Sequence, residues 1–166
     1  MSNKTISKDA IVIERTFDAP VHIIWQMWTD PEHFKKWYGP KGFTVPVADM
    51  ELRVGGIRLV GMASPDGSRK MWTTGEHREI VPNQRLVYTE SMADENGVVM
   101  SATDMGMPEG YPTTTEVTVL LEDLGGRTKM TMTHAGLPAD SPGASGWNQA
   151  FDKLEDQIKT ALGNKS

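Results

Sequence analysis

Four histidines are the side chains of this sequence best suited to proton chemistry near neutral pH: His22, His33, His77 and His134. No two of them stand at the i, i+4 spacing that would place a pair of imidazoles on one helix face, and no His-Glu-x-x-His occurs. The chain has no cysteine, which removes disulfides, thiolate nucleophiles, iron–sulfur clusters and cysteine-based zinc sites together. No metal and no cofactor are expected. His134 alternates with Met130 and Met132, so it shares their apolar face. It reads either as a pocket acid or base, or as a hydrogen-bonded histidine in the wall of an interior space.

Carboxylates are the other source of acid–base chemistry. Glu76, Glu79 and Glu90 fall on consecutive predicted strands. One that points inward beside Arg58, Arg78 or Arg85 must be paired, because an isolated buried charge is too costly. Glu90 and His134 are therefore the two catalytic candidates. Gly143-Ala144-Ser145-Gly146 is half of a nucleophile elbow without its second glycine spacing. Ser145 reads instead as the cap of a following helix. Gly55-Gly56 and Gly125-Gly126 do not continue into a phosphate-cradling loop and read as turn devices.

The aromatic side chains are the best binding candidates, having large area and, phenylalanine excepted, one polar handle. Trp37, Tyr38, Trp72, Tyr88, Tyr111, Trp147 and Phe151 form this set, and Met132 joins them through its place beside His134. Trp25, Trp28 and Trp37 also have a packing reading, between helix and sheet. The segment 98–111 carries Met100, Met105 and Met107 among glycines and prolines. It is expected either as a mobile lid at a cavity mouth or as a packed hairpin extension.

These residues need elements to position them. At 166 residues, with 38% hydrophobic and 23% charged, the chain suits one globular domain. Residues 1–9 read as a tail, 10–162 as the domain and 163–166 as a second tail. A strand at 11–17 precedes Asp18-Ala19-Pro20, which predicts a capped helix carrying Val21, Ile24, Trp25 and Trp28 on one face. Thr29 and Glu32 have capping-box spacing, predicting a second short helix with Phe34 and Trp37. The period then changes to two, with strands expected at 43–50, 56–63, 70–80, 84–92, 113–122 and 127–134. Short turns between them predict an antiparallel meander with one apolar face. A long helix over 144–162 carries Trp147, Phe151, Leu154 and Ile158 as the stripe that covers it. The fold class is α+β: a curved antiparallel sheet gripping one long helix.

Several motifs fall in a familiar order. Phe17-Asp18-Ala19-Pro20 leads into the Trp25 helix, and Thr29-Asp30-Pro31-Glu32 into Trp37-Tyr38-Gly39-Pro40. Arg53-Val54-Gly55-Gly56, then Glu79 to Leu86, then Gly146-Trp147 before Phe151-Asp152-Lys153-Leu154 complete the series. Together they resemble the START-like helix-grip superfamily, SRPBCC, over roughly residues 10–162. More narrowly they resemble its branch related to the C-terminal domain of the activator of heat-shock-protein-ninety ATPase. The resemblance implies a deep, mainly apolar cavity between sheet and long helix, used across the superfamily for hydrophobic ligands. Binding of a small hydrophobic molecule is the first expectation. A cyclase, dehydratase or hydrolase acting on such a molecule is the second, and a co-chaperone-like interaction module the third.

The net charge of -5 without a basic stripe argues against nucleic acid as a partner. Met1 to Ala10 is polar and no apolar run suits a signal peptide or a membrane span, so a cytoplasmic location is expected. An open strand edge offers a pairing surface to a second copy, so a homodimer is one expectation and a chaperone partner another.

Overall fold

Among the described residues, alternation of apolar and polar side chains produces seven strands. They are β1 (Ala10–Phe17), β2 (Thr44–Met50), β3 (Ile57–Ala63), β4 (Lys70–Val81), β5 (Arg85–Ala93), β6 (Thr114–Asp123) and β7 (Thr128–Ala135). Helices α1 (Val21–Thr29) and α2 (Pro31–Phe34) fill the connection from β1 to β2, and α3 (Pro142–Gly163) closes the chain. The computed structural model describes residues 10–100, 114–137 and 142–163. The strands form one sheet in the order β1-β7-β6-β5-β4-β3-β2, and every neighbouring pair is antiparallel. No described helix is long and apolar enough to cross a membrane.

The apolar face of this sheet is covered as the pattern requires. Ile11, Val60, Leu86, Val117, Val119, Met130 and Met132 from the strands meet Trp147, Phe151, Leu154 and Ile158 of α3. Trp28 of α1 is the hub: Trp37 lies 4.8 Å away edge-on, Trp147 5.9 Å and Phe151 6.0 Å, all within aromatic contact range. The polar ends of these rings are satisfied too. The Trp28 indole donates to Met130 Sδ at 3.3 Å, and that of Trp37 to the Met27 carbonyl at 2.8 Å.

Four local expectations are corrected. Helix α1 has no side-chain cap, and Pro20 rather than Asp18 holds the N-cap position. At α2 the capping group is Asp30, which accepts from the Glu32 N–H. The Thr29 hydroxyl is already donated back to the Trp25 carbonyl, which removes it from the capping box. That helix also ends at Phe34, so Trp37 sits in the turn beyond it. Ser145 lies inside α3, not at its start, and its hydroxyl accepts from Gln149 Nε2.

Candidate functional site

Antiparallel register carries buried polar groups across the inner face in rows. His134 of β7 stands opposite Val117, Val117 opposite Tyr88, and Tyr88 opposite His77 of β4. In the next row, Glu90 stands opposite Thr115 and Arg58 opposite Gly75. Side-chain alternation puts both rows on the face that α3 covers. Two polar clusters result.

The first gathers Glu90, Tyr38, His134, Thr115 and Trp147. The Tyr38 hydroxyl donates to Glu90 Oε2 at 3.0 Å. The Trp147 indole donates to His134 Nδ1 at 2.9 Å. An indole N–H can only donate, so Nδ1 is the bare nitrogen and the imidazole proton sits on Nε2. That proton goes to Thr115 Oγ1 at 2.8 Å, and the threonine hydroxyl is passed on to the Glu90 carbonyl at 3.2 Å. Glu90 Oε1 lies 3.6 Å from Nε2. Burial pushes the His134 pKa down, against the opposing pull of the Glu90 charge. Burial and the Glu90 carboxylate hold the Tyr38 phenol well above its ordinary pKa, so it stays a donor.

The second cluster is Arg58, Tyr88 and His77. Arg58 is only 4% exposed. Its guanidinium carbon lies 3.6 Å from the Tyr88 ring centre and 5.4 Å from that of Phe34. One of its nitrogens approaches His77 Nε2 at 3.5 Å. A guanidinium only donates, so Nε2 is bare and the His77 proton is on Nδ1. Burial, then the Arg58 charge, push the His77 pKa down to about 4. Among the described residues the Tyr88 hydroxyl and His77 Nδ1 are buried with no hydrogen-bond partner. Among the described residues no carboxylate pairs with Arg58.

Above the first cluster lies a pocket of about 110 Å³ between Tyr38, Pro40, Met62, Trp147 and Ala150. The Tyr38 and Trp147 rings meet edge-on at 5.7 Å and form its inner wall. Gly39, at a φ of 92°, keeps the rim narrow; a Cβ there would stand 2.7 Å from Met62 Sδ. Lys153 of α3 fixes the rim by donating to the carbonyls of Tyr38, Pro40 and Phe43 at 3.2, 3.1 and 3.4 Å. Burial lowers its pKa.

A sheet closed by a C-terminal helix, with two short helices after the first strand, matches known proteins over almost its full length. The family model described as activator of Hsp90 ATPase homolog 1-like protein matches residues 18–159. The chain belongs to this family. A Chromobacterium violaceum protein superposes with a TM-score of 0.75 at 24% identity, covering 91% of this chain and 97% of its own. An Arthrobacter aurescens protein gives 0.72 at 26% identity, covering 90% and 86%. The AHSA1 protein of Silicibacter pomeroyi gives 0.71 at 19% identity, covering 92% and 99%. No curated protein matches the chain.

In this AHSA1-like domain the structure brings together Tyr38, Tyr88, Glu90, His134 and Trp147. Both ring nitrogens of His134 are engaged, Nδ1 by Trp147 and Nε2 by Thr115. Trp37, Phe151 and Met132 are fully buried, and none of them is in the wall of the 110 Å³ pocket. Trp72 is on the other face. It pairs with Gly61, one residue out of step with the inward Val60, and its ring covers the Gly61 Cα. There it borders an outer groove of about 470 Å³ with Met71 and Met100. Met105, Met107 and Tyr111 lie outside the described residues. The described start of their segment continues the hairpin: Ala93 bridges Val99, and the Met100 N–H donates to the Met92 carbonyl. Sequence reasoning did not single out Thr115, Pro40, Met62, Ala150 or Lys153, and named Arg58 only as a possible partner of an inward glutamate. The signal for Arg58 was its position between Ile57 and Leu59, in phase with Val60 and Met62.

Proposed function

We propose that the protein binds a small, largely apolar organic molecule without covalent chemistry, through the pocket between Tyr38, Met62 and Trp147. The pocket itself carries this reading. Its two aromatic walls are held from behind, Tyr38 by Glu90 and Trp147 by His134, so the apolar surface is preorganised before a ligand arrives. A volume of about 110 Å³ suits a single ring or a short aliphatic group. Burying its apolar area contributes about 25 cal/mol per Å² before association costs.

The test is titration with indole, toluene and cyclohexanol, followed by the Met62 methyl and Trp147 indole resonances. Saturable shifts at both, lost in an Ala150→Leu variant that fills the pocket, are the expected result. Shifts that survive the filled pocket would place binding elsewhere and overturn the reading. Native mass spectrometry of freshly purified protein then gives the mass of any molecule carried along.

A further inference from the structure

One stretch of the pocket wall is held by polar contacts where the rest is held by packing. Gly39 and Pro40 line the pocket from the connection between α2 and β2. That connection offers α3 three carbonyls and one N–H. Lys153 donates to the carbonyls of Tyr38, Pro40 and Phe43. An ammonium has three N–H donors, so this one side chain answers all three. Gln149 Oε1 accepts the Lys41 N–H at 2.9 Å. Gln149 and Lys153 are one helical turn apart and stand above one another on a single face of α3. Apolar anchoring of the stretch is slight: Pro40 is half-buried, and Lys41 and Gly42 are exposed. Gly39 and Gly42 bracket Pro40-Lys41 at φ of 92° and 87°, where glycine turns without steric cost.

We propose that Lys153 and Gln149 are positioning residues that set the largest ligand the pocket takes, by holding the strap 39–42 against α3. The inference rests on the binding reading above and adds the ligand's upper size. The walls of the pocket differ in kind. The Tyr38 ring is stacked on Phe34 at 4.6 Å and tied to Glu90, and the Trp147 ring meets Phe151 at 5.5 Å and is tied to His134. Moving either ring exposes apolar surface, which is expensive. The strap is held by hydrogen bonds to two half-buried side chains. Water replaces such bonds at small net cost. When the pocket widens, the strap is therefore the part that moves, turning about Gly39 and Gly42. Held closed, it leaves about 110 Å³, the room of a single ring. Lys153 is the stronger tie, because its bonds are charge-assisted and are lost together, while Gln149 contributes one neutral bond.

The experiment compares phenol with 1-naphthol, the same hydroxyl on one ring and on two, titrated at the Met62 methyl resonance. Both probes are uncharged at neutral pH, so loss of the Lys153 charge acts on them alike. In the parent protein 1-naphthol should bind no tighter than phenol, although it brings more apolar area. Lys153→Met removes the three donors, keeps the aliphatic stem, and should raise the 1-naphthol-to-phenol affinity ratio by at least about fivefold. Gln149→Ala should raise it about twofold. Lys153→Arg, which keeps charged donors, should stay nearer the parent. A pocket that is merely destabilised weakens both probes and leaves their ratio alone. A ratio unchanged in Lys153→Met, or a parent protein that already prefers 1-naphthol by that margin, overturns the size limit. If Lys153→Met does not fold, the ratios of Gln149→Ala and Lys153→Arg decide in its place. Hydrogen exchange without ligand gives a second readout. In Lys153→Met the Lys41 and Phe43 amides should exchange at least about tenfold faster, with those of Phe151 and Leu154 unchanged. Equal acceleration along α3 would mean that the lysine holds the helix and not the strap, which overturns the proposal. Absence of any Met62 shift with phenol removes the pocket reading itself, whereas an unchanged ratio with both probes bound removes only the size limit.

Discussion

His134 and His77 stand at opposite ends of one cross-strand row, both within a few per cent of complete burial, yet the fold treats them differently. At the His134 end every ring nitrogen has a partner, and a carboxylate stands beside the ring. At the His77 end the ring faces a cation through one long contact, and among the described residues its other nitrogen has no hydrogen bond of good geometry. Similar exposure thus accompanies a fully hydrogen-bonded ring at one end and a sparsely bonded one at the other. The difference lies in neighbours, not in depth: a saturated hydrogen-bond network rigidifies the core around it.

The sharpest way to break this contrast is truncation. His134→Ala should cost about 4 kcal/mol, because it opens a cavity, strands the Trp147 indole donor and leaves Thr115 Oγ1 without the proton it accepts. His77→Ala should cost about 2 kcal/mol, since it strands less. Urea unfolding of the two variants measures both, and equal losses would erase the distinction. Acid comes next. The folded pKa of His77, about 4, lies below its ordinary 6.5, so the unfolded chain takes up the proton first. Stability should be complete above about pH 6.5 and fall by up to about 3 kcal/mol as pH drops toward 4. His134 adds loss in the same direction. His77→Gln should flatten this limb, which unfolding midpoints across the pH range will show.

Trp147→Phe should cost about 1–2 kcal/mol by removing one indole donor from the buried Nδ1. With that nitrogen freed, the His134 pKa should rise, visible in imidazole nitrogen shifts. The smallest effect falls at the sparsely bonded end. Tyr88→Phe removes a hydroxyl without a partner, so stability should stay level or rise by up to about 1 kcal/mol. A loss of more than about 1 kcal/mol there would mean the hydroxyl is bonded in solution.

The sheet was legible in advance because period-two alternation is strong wherever one face is buried, as in Met130, Met132 and His134. The strand ends needed shifts of only a residue or so. The covering stripe of α3 was equally legible from Trp147, Phe151, Leu154 and Ile158. Caps were not, because Asp18, Thr29 and Ser145 each had competing local hydrogen-bond options that spacing does not rank. The site was partly legible. Glu90 and His134 could be picked out by type, but their meeting depends on register between β5, β6 and β7. The face of Trp72 was not legible for the same reason: it is decided by the pairing with Gly61, which composition does not encode. The place of Arg58 is set by its stacking on Tyr88 across β4, which depends on the pairing of three strands rather than on any local pattern.

The first strand of the chain pairs with the last. Ala10 lies opposite Ala135 and Phe17 opposite Thr128, with β1 at the sheet edge. During synthesis, at roughly 5–20 residues per second, β1 emerges and then waits on the order of ten seconds for its partner to be made. Its apolar side, with Ile11 and Phe17, has no strand to join until β7 leaves the ribosome. Closure of the edge is thus a late, long-range event, and contacts so distant in sequence slow folding. A nascent chain stalled before residue 128 should expose β1 to proteases and chaperones, whereas one released after α3 should protect it.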